Sequence, residues 1–116
     1  MIEVVGTDEF EVWYLTLDEK DTAAVDFVVG LLEARGVTLG FPHSSAMNGA
    51  SFALRELRAQ SGGRPLRVFY AFDPERQAVL IIGGDKTGDD RFYEKMIRHC
   101  EHIWQAYLEE QGTKAK

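Results

Sequence analysis

The clearest hydrophobic pattern lies near the C-terminus, where Phe92, Tyr93, Met96, Ile97, Cys100, Ile103, Trp104, Tyr107 and Leu108 recur at helical spacing. They predict a long amphipathic helix from about Asp89 to Glu110. Earlier in the chain, Phe10, Trp13, Tyr14 and Leu17 fall at i, i+3, i+4 and i+7, one apolar face of a short helix that Thr7 or Asp8 would cap. A second helix follows, capped by Asp18 or Asp21 and stopped by Gly36; Val25, Val28, Val29 and Leu32 line one side, and Phe27 and Leu31 widen it. So broad a stripe needs a sheet or another helix to lie on.

Strands are predicted from period-two alternation and turn residues. Ile2 to Val5 makes a short first strand, and the chain from Val37 to Gly49 is loop-like, broken by Pro42, His43 and Asn48-Gly49. Three further strands, Ser51 to Arg58, Leu66 to Phe72 and Ala78 to Ile82, are separated by Ser61-Gly62-Gly63 and Asp73-Pro74. Connections this short join antiparallel neighbours. Val79-Leu80-Ile81-Ile82 is apolar on both faces and belongs inside the sheet, with the N-terminal strand on its far side. The order β-α-α-β-β-β-α describes one small α+β domain: a twisted antiparallel sheet with two helices on one face and a third helix after the last strand.

Composition sets bounds on this picture. A chain of 116 residues, 45% hydrophobic and 28% charged, builds one core of ordinary size. No apolar run approaches the roughly 20 residues that span a bilayer, and no secretion signal is visible, so the expected location is the cytoplasm and no membrane partner is expected. The single cysteine, Cys100, fits a reducing compartment. Net charge is −6, unevenly spread: residues 1–50 hold nine acids and two bases, residues 51–98 seven acids and nine bases, and residues 99–116 three acids and two bases. The positive charge is concentrated in the middle. Residues 112–116 are predicted to form a disordered tail.

The candidate chemistry follows that charge. The segment Gly83-Gly84-Asp85-Lys86-Thr87 evokes a phosphate loop, but Asp85 stands where a P-loop requires glycine, and antiparallel neighbours lack the crossover in which P-loops occur. A different use of Lys86 is open. On the middle strand Arg67, Phe69 and Ala71 share a face; Arg55 and Arg58 precede it, and Lys86 and Arg91 follow the next strand, so cations from separate segments can converge on a phosphate. The alternative is a solvated strand face with cross-strand pairs such as Glu56 with Arg67. His99-Cys100-Glu101-His102 lacks a second set of ligands, so no metal is expected. His43 is a lone loop histidine, and the Phe10, Trp13 and Tyr14 group reads as core.

Four pieces, Leu54-Arg-Glu-Leu-Arg58, Arg67-Val-Phe-Tyr-Ala-Phe-Asp73, Gly83-Gly-Asp-Lys-Thr87 and Arg91-Phe-Tyr93, occur in an order that resembles the core of the RelE/HigB superfamily of toxins, in its phage-derived branch. The resemblance spans Leu54 to Ile97, with the preceding helices consistent over most of the rest. It implies a RelE-like domain over residues 1–111. It also implies a cofactor-free, metal-independent endoribonuclease that cleaves messenger RNA on the ribosome and is neutralised by an antitoxin, often of helix-turn-helix type, in a complex able to sit on operator DNA. In such enzymes the ribose 2′-hydroxyl attacks its own phosphate, leaving a 2′,3′-cyclic phosphate and a 5′-hydroxyl. Carried over to this chain, Arg67 binds the phosphate and Lys86 neutralises developing charge or exchanges a proton, with Arg55, Arg58, Arg91 and Tyr93 as further RNA or phosphate ligands. Two other functions stay open: a gyrase-binding toxin of the related ParE kind, and a toxin fold that only binds its antitoxin.

Overall fold

The computed structural model describes residues 1–114. Five strands, β1 (Val4–Gly6), β2 (Ser44–Ala46), β3 (Arg55–Ser61), β4 (Arg64–Phe72) and β5 (Ala78–Asp85), form one sheet in the order β1-β5-β4-β3-β2. Helices α1 (Asp8–Tyr14) and α2 (Glu19–Arg35) cover one face, and α3 (Phe92–Lys114) covers the other. The sheet therefore divides two apolar clusters. Phe10, Val25, Val28 and Leu32 meet Leu57, Leu66, Val68, Tyr70 and Leu80 on the α1–α2 side. Phe92, Cys100 and Trp104 meet Leu54, Phe69, Ala71, Val79 and Ile81 on the α3 side.

The helix starts are set by local chemistry. Thr7 Oγ1 accepts from Phe10 N at 3.0 Å and donates to Ile81 O at 2.6 Å, so one hydroxyl caps α1 and ties it to β5. Asp18 caps α2 by accepting from Asp21 N at 2.8 Å, and Gly36, at φ 55°, ends it. Between β3 and β4, Gly62 and Gly63 both take positive φ, as a two-residue hairpin turn demands.

Several details depart from the sequence reading. The sheet is mixed, because β1 runs parallel to β5; two helices and three strands intervene, so the direction is free of the hairpin constraint. Ser44–Ala46, expected to be loop, pairs with Leu57 to Arg55 as an edge strand. The strand expected at Ser51 to Arg58 begins at Arg55 and runs to Ser61, while Ser51 is held to α3 through its N–H and hydroxyl, which donate to Glu101 at 2.5 and 2.6 Å. Phe27 does not widen the buried stripe of α2 but is exposed, with its ring against His43. At the C-terminus α3 continues through the turn that begins at Gly112, and the expectation for residues 115 and 116 lies outside the described residues. No helix among the described residues is long and apolar enough to cross a membrane.

Candidate RNA-binding site

Three strands and one helix bring side chains together on the α3 face of the sheet, beside the first turn of α3. In β3 and β4, Glu56 pairs with Phe69 and Arg58 with Arg67, which sets Glu56, Arg58 and Arg67 on the α3 side by simple alternation. Lys86 reaches that side only through an irregularity. Phe69 pairs with Ile82 but Tyr70 pairs with Leu80, leaving Ile81 as an extra residue in β5. Val79, Ile81 and then Ile82 all pack on the α3 side. After the bulge the alternation is inverted: Gly83 faces Trp13 of α1, Gly84 faces Phe92 of α3, and Lys86 comes to lie over Tyr93. Strict alternation from Val79 would have turned Lys86 to the opposite face.

The resulting row is contiguous. Glu56 sits at its centre, with Arg67 Nε at 3.2 Å from Oε1 and Arg58 Nη2 at 3.5 Å from Oε2. Tyr93, in the first turn of α3, donates its hydroxyl to Glu56 at 2.8 Å and accepts from Arg67 Nε at 3.3 Å. The Lys86 ammonium lies 5.0 Å from the centre of the Tyr93 ring, a cation–π distance. Arg67 and Glu56 are nearly buried, with side chains 10% and 5% exposed, whereas Arg58 is 32% exposed. Arg67 Nη1 donates to Leu66 O, so these contacts engage two of the five N–H groups of the guanidinium. Gly84, opposite Arg67, admits the close approach of Phe92 that begins α3; a Cβ there would be 2.9 Å from that ring.

Of the residues expected at the site, Arg58, Arg67, Lys86 and Tyr93 are brought together. Arg55 is not. Three residues from Arg58 on a strand, it points to the α1–α2 face, where Nε donates to Ser44 Oγ at 3.2 Å and Tyr70 Oη at 3.1 Å. Arg91 is also apart: its side chain is 78% exposed and pairs with Glu94 at 3.6 Å. Glu56 is the member that sequence reasoning treated only as an ion-pair partner of Arg67. Its signal was positional, since an acid two residues before Arg58 on a strand shares that arginine's face. His43 stands at the β2 end, its carbonyl accepting from Arg58 N at 2.9 Å. A groove of about 540 Å³ on another flank is lined by Asp8, Glu9, Glu75 and Tyr107, a charge opposite to what a phosphate needs.

An α/β/α domain of this topology, with a cationic row at one end of its sheet, falls in the RelE-like class. The crystal structure of the archaeal RelE–RelB complex from Pyrococcus horikoshii OT3 contains a chain that superposes with a TM-score of 0.54, over 75% of this chain and 97% of that one, at 15% identity, a likeness of fold. In sequence, the model of the phage derived protein Gp49-like (DUF891) family matches residues 12–105. Two Mycobacterium tuberculosis proteins assigned as toxins are similar. HigB3 is 38% identical over 96 residues, 81% of this chain and 82% of that protein; HigB2 is 30% identical over 113 residues, 94% of this chain but 56% of that protein. The chain belongs to the Gp49-like family and is a RelE/HigB-like toxin of a toxin–antitoxin system.

Proposed function

We propose that this toxin is a metal-independent endoribonuclease that cuts messenger RNA at the ribosome and thereby inhibits translation. The observation that carries the reading is the convergence of Arg58, Arg67 and Lys86 with Tyr93 on one face of the sheet, beside the first turn of α3. In this reading Arg67 and Arg58 grip the scissile phosphate by charge-assisted hydrogen bonds. Lys86, held beside them on the Tyr93 ring, offsets the negative charge that grows as the 2′-oxygen attacks, and gives or takes a proton. Glu56 keeps both guanidinium groups and the Tyr93 hydroxyl oriented before RNA arrives. The partners that follow are translated messages on the ribosome and a cognate antitoxin of helix-turn-helix type, the pair able to occupy operator DNA; the compartment is the cytoplasm.

The test is inducible expression in a bacterial host with transcript 5′ ends mapped, comparing wild type with Lys86→Ala and with Arg67→Ala. Growth arrest with new cuts in translated messages, lost in both folded variants, is the expected result. Arrest with intact messages and DNA breaks would replace the nuclease with a gyrase-directed toxin. Soluble expression without arrest would leave a protein that only binds its antitoxin.

A further inference from the structure

Phe41 lies between the 3-10 turn Gly36–Thr38 and β2, and it is 83% exposed. Water is a poor solvent for a phenyl ring, and an exposed aromatic next to a charged site is a candidate contact surface. The ring is not on a loose loop. Gly40 O accepts from His43 N at 3.1 Å and from Ser44 N at 3.0 Å, and His43 O accepts from Arg58 N, so the turn that carries Phe41 is fastened to β3. The guanidinium carbon of Arg58 lies 5.6 Å from the centre of the ring. Arg58 is also the outer cation of the row around Glu56. The row therefore ends in an aromatic ring at both sides, Phe41 beside Arg58 and Tyr93 beneath Lys86, with Glu56 and Arg67 between them.

We propose that Phe41 is a nucleobase-stacking subsite. The base next to the phosphate held by Arg58 and Arg67 lies on the exposed Phe41 ring, which together with Arg58 forms one platform. A nucleotide suits the place because it carries a flat π-face a short distance from an anionic phosphate, and Phe41 and Arg58 present the complements of those two features side by side. Every base has such a face, so the subsite adds affinity with little choice among bases. The inference rests on the row being an RNA-binding site.

The test uses the full chain and fluorescently labelled single-stranded RNA with 2′-O-methyl groups, which blocks cleavage. A matched strand in which one nucleotide at a time is replaced by an abasic unit is measured in parallel. Phe41→Ala is expected to bind intact RNA roughly 10- to 100-fold more weakly, the range that loss of one stacked base produces. Phe41→Trp should bind as wild type does, and an abasic unit at the stacked position should weaken wild type while leaving Phe41→Ala unchanged. Arg67→Ala should weaken every strand. If Phe41→Ala binds intact RNA as wild type does while Arg67→Ala does not, the subsite is wrong and the RNA site stands. If Arg67→Ala binds every strand as wild type does, the RNA site and the subsite are both wrong. If Phe41→Ala keeps RNA affinity but loses the antitoxin, the ring belongs to a protein interface and the subsite is overturned.

Discussion

Arg67 and Glu56 depend on each other, and this governs how the site can be probed. The pair is nearly buried, so removing the guanidinium alone strands a carboxylate, at a cost of about 3 kcal/mol or more. Arg67→Ala is accordingly expected to lower stability as well as activity, and adding Glu56→Gln should recover part of the stability and none of the cleavage, as urea unfolding and RNA cleavage measured side by side would reveal. Tyr93→Phe keeps the ring under Lys86 but removes the hydroxyl shared by Glu56 and Arg67, for a predicted loss of about 1 kcal/mol in the same unfolding assay. Arg67 and Lys86 were legible in the sequence as cations placed near one strand face. The exclusion of Arg55 was legible too, because residues three apart on a strand cannot share a side. The ring of Phe41 was not, since nothing local distinguishes an exposed loop phenylalanine from a buried one.

At the scale of elements, the bulge in β5 decides the site, and alternation alone could not have revealed it. Val79 to Ile82 reads as an apolar run whichever way each side chain points, so the sequence carries no mark of where the register shifts. The helices were more readable because Thr7, Asp18 and Gly36 act on their own neighbours. Strand β2 was hidden by its length, three residues being too few to display a period. After the bulge Gly83 lies under Trp13, where a Cβ would be 2.3 Å from ring carbons; Gly83→Ala must displace α1 or the strand and is predicted to cost about 1–3 kcal/mol, seen as a lowered melting temperature. The β3–β4 hairpin is tied to α2 through Asp21. Ser61 Oγ donates to it at 2.5 Å and Arg64 pairs with it and with Asp85, and these contacts hold the Asp21 carboxyl below its usual range against the opposing effect of burial. A carboxyl depressed in the folded state contributes stability above its unfolded pKa and loses it as pH falls through the folded value. Wild type should therefore lose stability as pH drops below about 4, and Asp21→Asn, less stable at neutral pH, should show a shallower fall across the same window.

Across the whole molecule, charge is sorted by region. The first 50 residues, which build α1 and α2, carry a net −7, whereas the cationic row opens on the α3 side. The acidic total thus does not describe the surface that RNA would meet, and orientation on approach follows from the separation. Three cations, Arg58, Arg67 and Lys86, set the expected salt dependence. For single strands each phosphate neutralised contributes about −0.7 to the slope of log affinity against log salt, so a slope of about −2 is predicted for wild type. Arg67→Ala should reduce its magnitude by about 0.7, while Arg91→Ala, whose guanidinium lies apart from the row, should leave it unchanged.

The central claim, that the Arg58–Arg67–Lys86 row cleaves RNA through the ribose 2′-hydroxyl, is tested most directly in a purified translation system. Wild type and Lys86→Ala would be added to ribosomes programmed with a defined message, and the termini of any fragments identified. The account predicts that wild type leaves 2′,3′-cyclic phosphate and 5′-hydroxyl ends in the absence of divalent-metal catalysis by the toxin, that a 2′-deoxy substitution at the cut position blocks the reaction, and that folded Lys86→Ala slows it severely. Intact message with wild type, or equal cleavage by Lys86→Ala, would contradict it.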